Sequence, residues 1–250
     1  MTYCVGLMLN EGMVFMSDTR TNAGVDNIST FRKMFSWDVD GDRSITLMTA
    51  GNLATTQAVV SLLEERSKAA QDRNPSILQA ETMFQVATLV GDTLKEVISD
   101  HAMEGQRADS GFNATILVGG QIKGGDHRLF LIYPEGNFIE ASADTPFLQI
   151  GETKYGRPIL VRAFDPDMSF DAAVKLLLVS FDSTIKANLG VDLPLDVRVY
   201  QADTLSTAQE FRIEADDPYY NEISDGWGGA LREAFGKLPD FDLGKTAGRG

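Results

Sequence analysis

The first twenty residues, MTYCVGLMLNEGMVFMSDTR, place a threonine directly behind Met1. If Met1 is removed, as the small side chain behind it permits, Thr2 carries a hydroxyl group and a free α-amine on adjacent carbons. A free α-amine has a pKa of ~7.7–8.0, so near neutral pH it can take the hydroxyl proton directly or through one water. Thr2 can therefore be a nucleophile that brings its own base, and no histidine is required.

Such a base works only while it is unprotonated, and a nearby ammonium group keeps it so by like-charge repulsion. Lys33 can supply the ammonium group, and Asp18 can anchor it. An N-terminal hairpin would return Asp18, at the end of the second strand, to the start of the first strand beside Thr2. Lys33 opens the next hairpin and can reach the same edge. The alternative is that Asp18, Arg20 and Lys33 form a solvated charge cluster at loop ends.

Other catalytic and metal-binding chemistries have little support. A common serine hydrolase needs a histidine base and often has a G-x-S-x-G motif around its serine. The sequence has no such motif, and its two histidines are His101, at a predicted helix end, and His127, at a predicted strand start. We interpret both as surface or capping residues. A zinc site is not expected either, because the sequence has no H-x-x-x-H pair and its one cysteine, Cys4, has no partner. We interpret Cys4 as a buried strand residue.

Two short motifs imitate ligand-binding loops. DVDGD, which begins at Asp38, has its glycine too early for a calcium loop, and Thr49 stands where that loop needs a glutamate. GKT at 244–246 has Pro239 where the first glycine of a phosphate loop belongs. We read the first as a hairpin turn and discard the second, so we expect neither a metal nor a cofactor.

Composition limits the partners and the compartment. The 250 residues are 43% apolar and 23% charged, as in an ordinary globular domain, and the net charge is -14. A nucleic acid or an anionic membrane would repel such a chain, so we expect neither partner. The first basic residue is Arg20, which does not fit a secretory signal, and no stretch reaches the ~18 apolar residues of a membrane span. With a single cysteine, these features indicate a cytoplasmic protein.

The elements that must position these residues are strands and helices in alternation. Residues 3–9 and 13–17 predict the N-terminal hairpin, and a second hairpin runs from Arg32 to Gly51. Helical periodicity follows over 52–70 and 80–98, and a later helix runs from about Ser169, its N-cap, to about Asn188. The remaining predicted strands lie at 113–120, 128–133, 137–141, 195–202 and 208–214.

This order predicts an α+β sandwich of two antiparallel sheets that face each other, with helices outside. We expect one domain over 1–250, in which 216–250 is an aromatic C-terminal extension with one short helix.

An ordered set of residues resembles the proteasome β-subunit superfamily of N-terminal nucleophile hydrolases. The set comprises Thr2 to Gly6, Glu11 to Val14, Ser17 to Arg20, Lys33 and MTAGNLA at 48–54. Within that superfamily, TYCVG, SDTRTNAGVDNI and FRKM in residues 2–34 resemble the bacterial proteasome-related family called Anbu. The similarity extends over nearly the whole chain and includes SFDST at 180–184.

The resemblance implies a four-layer αββα sandwich that assembles into a homo-oligomeric ring or open spiral. It implies a threonine-type hydrolase that cleaves peptide (amide) bonds in short or unfolded chains. Thr2 would be the nucleophile, Asp18 would orient Lys33, and Lys33 would lower the pKa of the Thr2 amine or hydroxyl. Gly51 would aim its backbone N–H at the developing oxyanion.

Further residues take roles by the same resemblance. Thr21, Thr49 and Leu53 would line the specificity pocket, and Arg20 would brace a turn. The sequence departs from typical proteasome subunits at two places. The spacing from Asp18 to Lys33 is one residue shorter, which we attribute to a trimmed turn at 24–27. The supporting Asp and Ser do not map directly: Gly151-Glu152-Thr153 replaces a Gly-Ser-Gly turn, and the nominated equivalents are Asp182, Ser183 and Asn188.

Two other functions stay open. One is an amidase that acts on a small conjugate, and the other is a non-catalytic oligomeric scaffold in which Thr2 is vestigial or Met1 is retained. No segment resembles a nucleotide site, so an energy-dependent step would need a separate ATP-dependent partner.

Overall fold

The computed structural model describes residues 1–22, 28–68, 76–103 and 110–241. The strands are Tyr3–Leu9 (β1), Gly12–Asp18 (β2), Arg20–Asn22 (β3), Ile28–Thr30 (β4), Met34–Val39 (β5), Arg43–Gly51 (β6), Ala114–Ile122 (β7), Arg128–Ile132 (β8), Phe138–Glu140 (β9), Phe147–Gly151 (β10), Leu195–Gln201 (β11) and Gln209–Ile213 (β12). The helices are Leu53–Lys68 (α1), Met83–Met103 (α2), Thr153–Ala163 (α3), Phe170–Ala187 (α4) and Pro218–Gly236 (α5), with a 3-10 turn at Ser110–Phe112.

The predicted α+β sandwich is confirmed. One sheet has the strand order β10-β1-β2-β11-β12, the other has the order β5-β6-β7-β8-β9, and β3 pairs with β4 in a short ribbon. All these pairings are antiparallel. The N-terminal hairpin sets Cys4 opposite Ser17, so the start of β1 lies beside the end of β2.

The chain divides into two compact units, Met1–Ala215 and one that begins at Asp216. In the second unit, α5 starts at Pro218 behind the N-cap Asp217, whose side chain accepts a hydrogen bond from Tyr220 N. Helix α5 has 19 residues, so the expected short helix is in fact a long one.

The core of the first unit has two apolar layers, one between a sheet and its helices and one between the two sheets. Leu47 of β6 packs beneath α1 and α2, with Val59 and Val90 among its neighbours in the cluster. The next residue, Met48, faces the opposite sheet and belongs to the cluster that contains Leu148. Because successive side chains point to opposite faces, β6 is buried along both faces.

Helices α3 and α4 cover the outer face of the first sheet around Tyr3. The Tyr3 ring lies 4.5 Å from the Phe181 ring between centroids. Its hydroxyl accepts a hydrogen bond from Gln149 Nε2 at 2.6 Å and lies 2.8 Å from Ser180 Oγ. A Cβ at Gly156 of α3 would lie 2.3 Å from the Tyr3 hydroxyl oxygen, so only glycine lets the helix approach this closely. This contact fixes the residue that follows Thr2.

Sequence patterns did not assign β10 or α3. Helix α3 contains Gly156 and Pro158, which break the pattern of a helix former, and packing overrides that local preference. The N-cap predicted at Ser169 is confirmed, since its side chain accepts a hydrogen bond from Ala172 N. The trimmed turn at 24–27 and the GKT segment at 244–246 lie outside the described residues.

Other residues that the sequence singled out also have positions in the structure. Cys4 is buried, and DVDGD contains the turn between β5 and β6. His127 Nε2 lies 3.0 Å from the Leu9 carbonyl oxygen, while the His101 side chain lies outside what the structure describes.

Over the described ranges, no helix is long and apolar enough to cross a membrane. The same residues include no cluster of three or more His, Cys, Asp or Glu that could hold a metal ion.

Candidate active site

Thr2 lies just before β1, where backbone hydrogen bonds anchor it. Its carbonyl oxygen accepts a hydrogen bond from Glu152 N at 2.7 Å, and Tyr3 pairs with Gly151 of β10. On the other side, Tyr3 N donates to Asp18 Oδ1 at 2.9 Å. Gly151 has a φ of 83°, and a Cβ there would lie 1.9 Å from the Thr2 carbonyl oxygen. A glycine at this position is therefore what allows Thr2 to lie at the end of the sheet.

Asp18 and Lys33 form a buried ion pair behind Thr2. Lys33 Nζ donates to both carboxylate oxygens of Asp18 at 2.9 Å and to the Arg20 carbonyl at 2.6 Å. The Lys33 side chain is 7% exposed and the Asp18 side chain is 0% exposed. This burial excludes the alternative that the two residues belong to a solvated charge cluster. Lys33 Nζ also donates to the Met1 carbonyl oxygen at 3.3 Å. The ammonium group thus reaches the peptide group that joins Met1 to Thr2.

Burial raises the pKa of Asp18 to about 6, and the charge and hydrogen bonds of Lys33 and the Tyr3 N–H oppose that rise. Arg20 holds the adjoining segment through an ion pair with Asp192 at 2.5 Å, which agrees with a bracing role. The carboxylate therefore sits in a low-dielectric environment in which Lys33 is its ionic partner in the described part of the chain.

A cavity of about 220 Å³ opens beside Thr2. It brings Thr2 together with Lys33 and Gly51, while Asp18 lies behind Lys33. The three side chains predicted for a specificity pocket, Thr21, Thr49 and Leu53, also line this cavity.

Sequence reasoning missed five other residues that line the cavity. Arg32 adjoins Lys33, and Ala50 adjoins Gly51. Thr56 and Gln57 follow Leu53 by three and four positions, a spacing that places them on one face of α1 and was readable in the sequence. The complete set of missed residues is Arg32, Phe35, Ala50, Thr56 and Gln57.

Gly51 lies at the end of β6 with a φ of 121°, and a Cβ there would lie 2.4 Å from the Asn113 carbonyl oxygen. A side chain is therefore excluded at this position. A second cavity of about 440 Å³ is lined by Gly51 together with Gly151 and Thr153. Gly51 thus borders two cavities, and Thr2 lines the smaller one.

The three nominated supporting residues have different surroundings. Asn188 Nδ2 lies 3.5 Å from Met1 Sδ, and Asn188 Oδ1 accepts a hydrogen bond from Gly190 N. Ser183 Oγ donates to the Val179 carbonyl within α4, and the buried Asp182 lies 3.9 Å from Lys186 Nζ. Asn188 thus contacts the residue that precedes Thr2.

The residues that line the cavity limit which group can take the proton of the Thr2 hydroxyl. Among the described residues that line it, none is a histidine or a carboxylate. Lys33 Nζ is already occupied by Asp18 and the Arg20 carbonyl oxygen. Thr2 itself or a water can therefore supply the base that takes the Thr2 hydroxyl proton. The nitrogen of Thr2 becomes an amine only when the bond to Met1 is cut, so Thr2 can serve as its own base only in a processed chain.

Comparison with known proteins places this geometry in a family. The family model for "Proteasome subunit" matches residues 2–191. Anbu (ancestral beta-subunit) from Yersinia bercovieri is 48% identical, covers 97% of this chain and 100% of its own, and superposes with a TM-score of 0.90. Anbu from Hyphomicrobium sp. strain MC1 is also 48% identical over 97% and 100% of the two chains, with a TM-score of 0.88.

A further structure is described as a helical assembly of the Anbu complex from Pseudomonas aeruginosa. It is 43% identical over 97% and 99% of the two chains, with a TM-score of 0.90. A search of curated proteins gives no significant match. The expected four-layer fold agrees with these neighbours: α1 and α2 lie on one sheet, and α3 and α4 lie on the other. The chain therefore belongs to the proteasome subunit family and, within it, to the bacterial Anbu family.

Proposed function

We propose that this chain is a threonine-type hydrolase that cleaves peptide (amide) bonds after processing has freed the Thr2 amine. The observation that carries the proposal is the position of Lys33 Nζ. It is held by Asp18 at 2.9 Å and lies 3.3 Å from the carbonyl oxygen that precedes the Thr2 nitrogen. Such an ammonium group favours the neutral form of a neighbouring amine, which is the form that can accept a proton.

The proposed reaction has two steps. The Thr2 hydroxyl oxygen attacks the scissile carbonyl carbon while its proton passes to the Thr2 amine. The backbone N–H of Gly51 donates to the oxyanion, a contribution of ~3 kcal/mol for one preorganised donor. The amine then gives the proton to the departing amine of the substrate, which leaves an ester on Thr2. Water, activated by the same amine, hydrolyses the ester and restores the free hydroxyl.

We propose that the hydrolase works in a homo-oligomer, a ring or an open spiral, in the cytoplasm. The helical assembly named for the Pseudomonas aeruginosa relative supports this proposal. A repeated head-to-tail interface that does not close gives a helical filament, and one that closes gives a ring. Enclosing the nucleophile would limit substrates to peptides and unfolded proteins, and folded substrates would need a separate ATP-dependent partner. We retain the proposal of one domain with 216–250 as its extension.

Hydrolysis of fluorogenic peptides and of a denatured protein tests this function. We expect slow but measurable cleavage by the processed protein and none by Thr2→Ala, with Thr2→Ser as the conservative control that keeps a hydroxyl. Turnover confined to small amide-containing metabolites would favour the amidase. No turnover of any amide by a correctly processed oligomer would favour the scaffold.

A further inference from the structure

The cavity beside Thr2 has an unbalanced charge. Its described lining includes two cationic side chains, those of Arg32 and Lys33, and no carboxylate. Lys33 is neutralised by Asp18 through two hydrogen bonds of 2.9 Å. Arg32, in contrast, is exposed and makes no hydrogen bond or ion pair with any residue that the structure describes. Arg32 is therefore the cationic side chain of the described lining that has no anionic partner.

Arg32 lacks an anionic partner although the chain is rich in carboxylates. The sequence has 36 Asp and Glu residues against 22 Lys and Arg residues, so carboxylates are abundant, yet none pairs with Arg32 in the described structure. A guanidinium group presents a planar fork of N–H donors that matches a carboxylate and can bind both of its oxygens. An acidic group that enters the cavity is thus the natural partner for Arg32.

Two carboxylates that share a cavity with Arg32 are paired with other cations. Its side chain also borders a neighbouring cavity of about 230 Å³, which contains Asp196 and Glu210. Asp196 is held by Arg212 Nε at 2.7 Å, and Glu210 is paired with Arg198. Each of these two acidic side chains is thus paired with another arginine, and neither forms an ion pair with Arg32.

The rest of the lining suits a short acidic side chain. Thr21 and Gln57 offer polar groups, and the apolar surfaces of Phe35 and Leu53 can pack against methylene groups. We propose that this cavity selects an acidic side chain on the acyl side of the scissile amide and that Arg32 binds its carboxylate. The inference rests on the proposed function, because it assigns a substrate class to the same nucleophile.

Two peptide epoxyketones that differ only in their last residue, glutamate or glutamine, test the preference. The rate of adduct formation on Thr2 is followed by intact mass. The wild-type protein should react about tenfold faster with the glutamate probe, as expected for one charge-assisted hydrogen bond in a half-open cavity. In Arg32→Gln, the ratio of the two rates should fall to about one.

Two further variants make the result specific. Arg162→Gln removes the same charge from an exposed position on α3 and should keep the wild-type ratio. Arg32→Glu should react faster with a probe that ends in lysine than with the glutamate probe. A misfolded variant would lose reactivity with both probes and would not gain this new preference.

A ratio near one in the wild-type protein, or an unchanged ratio in Arg32→Gln, would overturn the preference and leave the hydrolase intact. Failure of every probe to label Thr2 in any variant would overturn both the proposed function and the preference that rests on it.

Discussion

Asp18 and Lys33 form the buried charge pair next to Thr2. The carboxylate is buried and the ammonium group is nearly so, yet Lys33 Nζ has three oxygen partners besides the Met1 carbonyl oxygen. Burial costs such a pair several kcal/mol per ion, and only good geometry offsets that cost. The pair therefore contributes little net stability, and we ascribe its presence to the proposed chemistry at Thr2.

Asp18 should make stability depend on pH. Its pKa rises from 3.8 to about 6 on folding, so the folded chain holds the proton more tightly between these values. This stabilisation is complete below pH 3.8 and is lost as the pH rises through about 6. The free energy of unfolding of the wild-type protein, minus that of Asp18→Asn, should therefore fall across this window and level off above it. Urea unfolding at a series of pH values measures the difference, and a difference that rises with pH would contradict the assignment.

Lys33→Met should be costly because it leaves the Asp18 carboxylate buried without its cation. We expect a loss of about 3–5 kcal/mol in the free energy of unfolding at pH 7. The double variant Asp18→Asn/Lys33→Met removes both charges and should recover most of that loss. Urea unfolding of both variants provides the comparison. Equal stability of the single and double variants would show that the pair does not behave as a buried ion pair.

At the scale of elements, the junction between β10 and α3 positions Thr2. Gly151 takes a positive φ there, and Glu152 N holds the Thr2 carbonyl oxygen. Neither β10 nor α3 was assigned from the sequence, so the element that supports Thr2 from one side had to come from the structure.

Gly151→Ala should displace Thr2, since the new Cβ would lie 1.9 Å from its carbonyl oxygen. Gly124→Ala is a matched control: its φ of 82° is nearly that of Gly151 at 83°, but no atom lies within 4 Å of the added Cβ. Both variants carry the left-handed strain of roughly 1–2 kcal/mol. Only Gly151→Ala should lower epoxyketone labelling, by ~100-fold, the effect of a displacement of about 1 Å at a reacting group. Equal labelling rates in the two variants would refute the positioning role.

Local patterns explain which parts of the site were predictable. Asp18 was placed beside Thr2 because a hairpin with a short turn has only one register that pairs its ends. The contacts of Tyr3 with Gln149 and Ser180 join residues far apart in the chain, and no local period encodes them. Helix α3 was missed for a related reason, because Gly156 is selected by its contact with Tyr3 rather than by helix propensity.

At the scale of the whole molecule, the net charge of -14 opposes self-association. Copies of the chain repel one another, and the repulsion reaches further at low salt, where the Debye length is ~30 Å at 0.01 M against ~10 Å at 0.1 M. We therefore expect the proposed oligomer to gain mass as sodium chloride rises over this range, measured by light scattering. Dissociation with added salt would instead show that ion pairs between subunits hold it together.

The central claim is that Thr2 acts through its own hydroxyl and amine. An epoxyketone forms a ring adduct that requires both groups, so the intact mass of the purified protein before and after exposure to a peptide epoxyketone tests the claim directly. We predict a chain that begins at Thr2 and takes up one adduct per subunit, and no adduct in Thr2→Ala. A chain that begins at Thr2 yet never reacts, or an adduct that persists in Thr2→Ala, would contradict the claim.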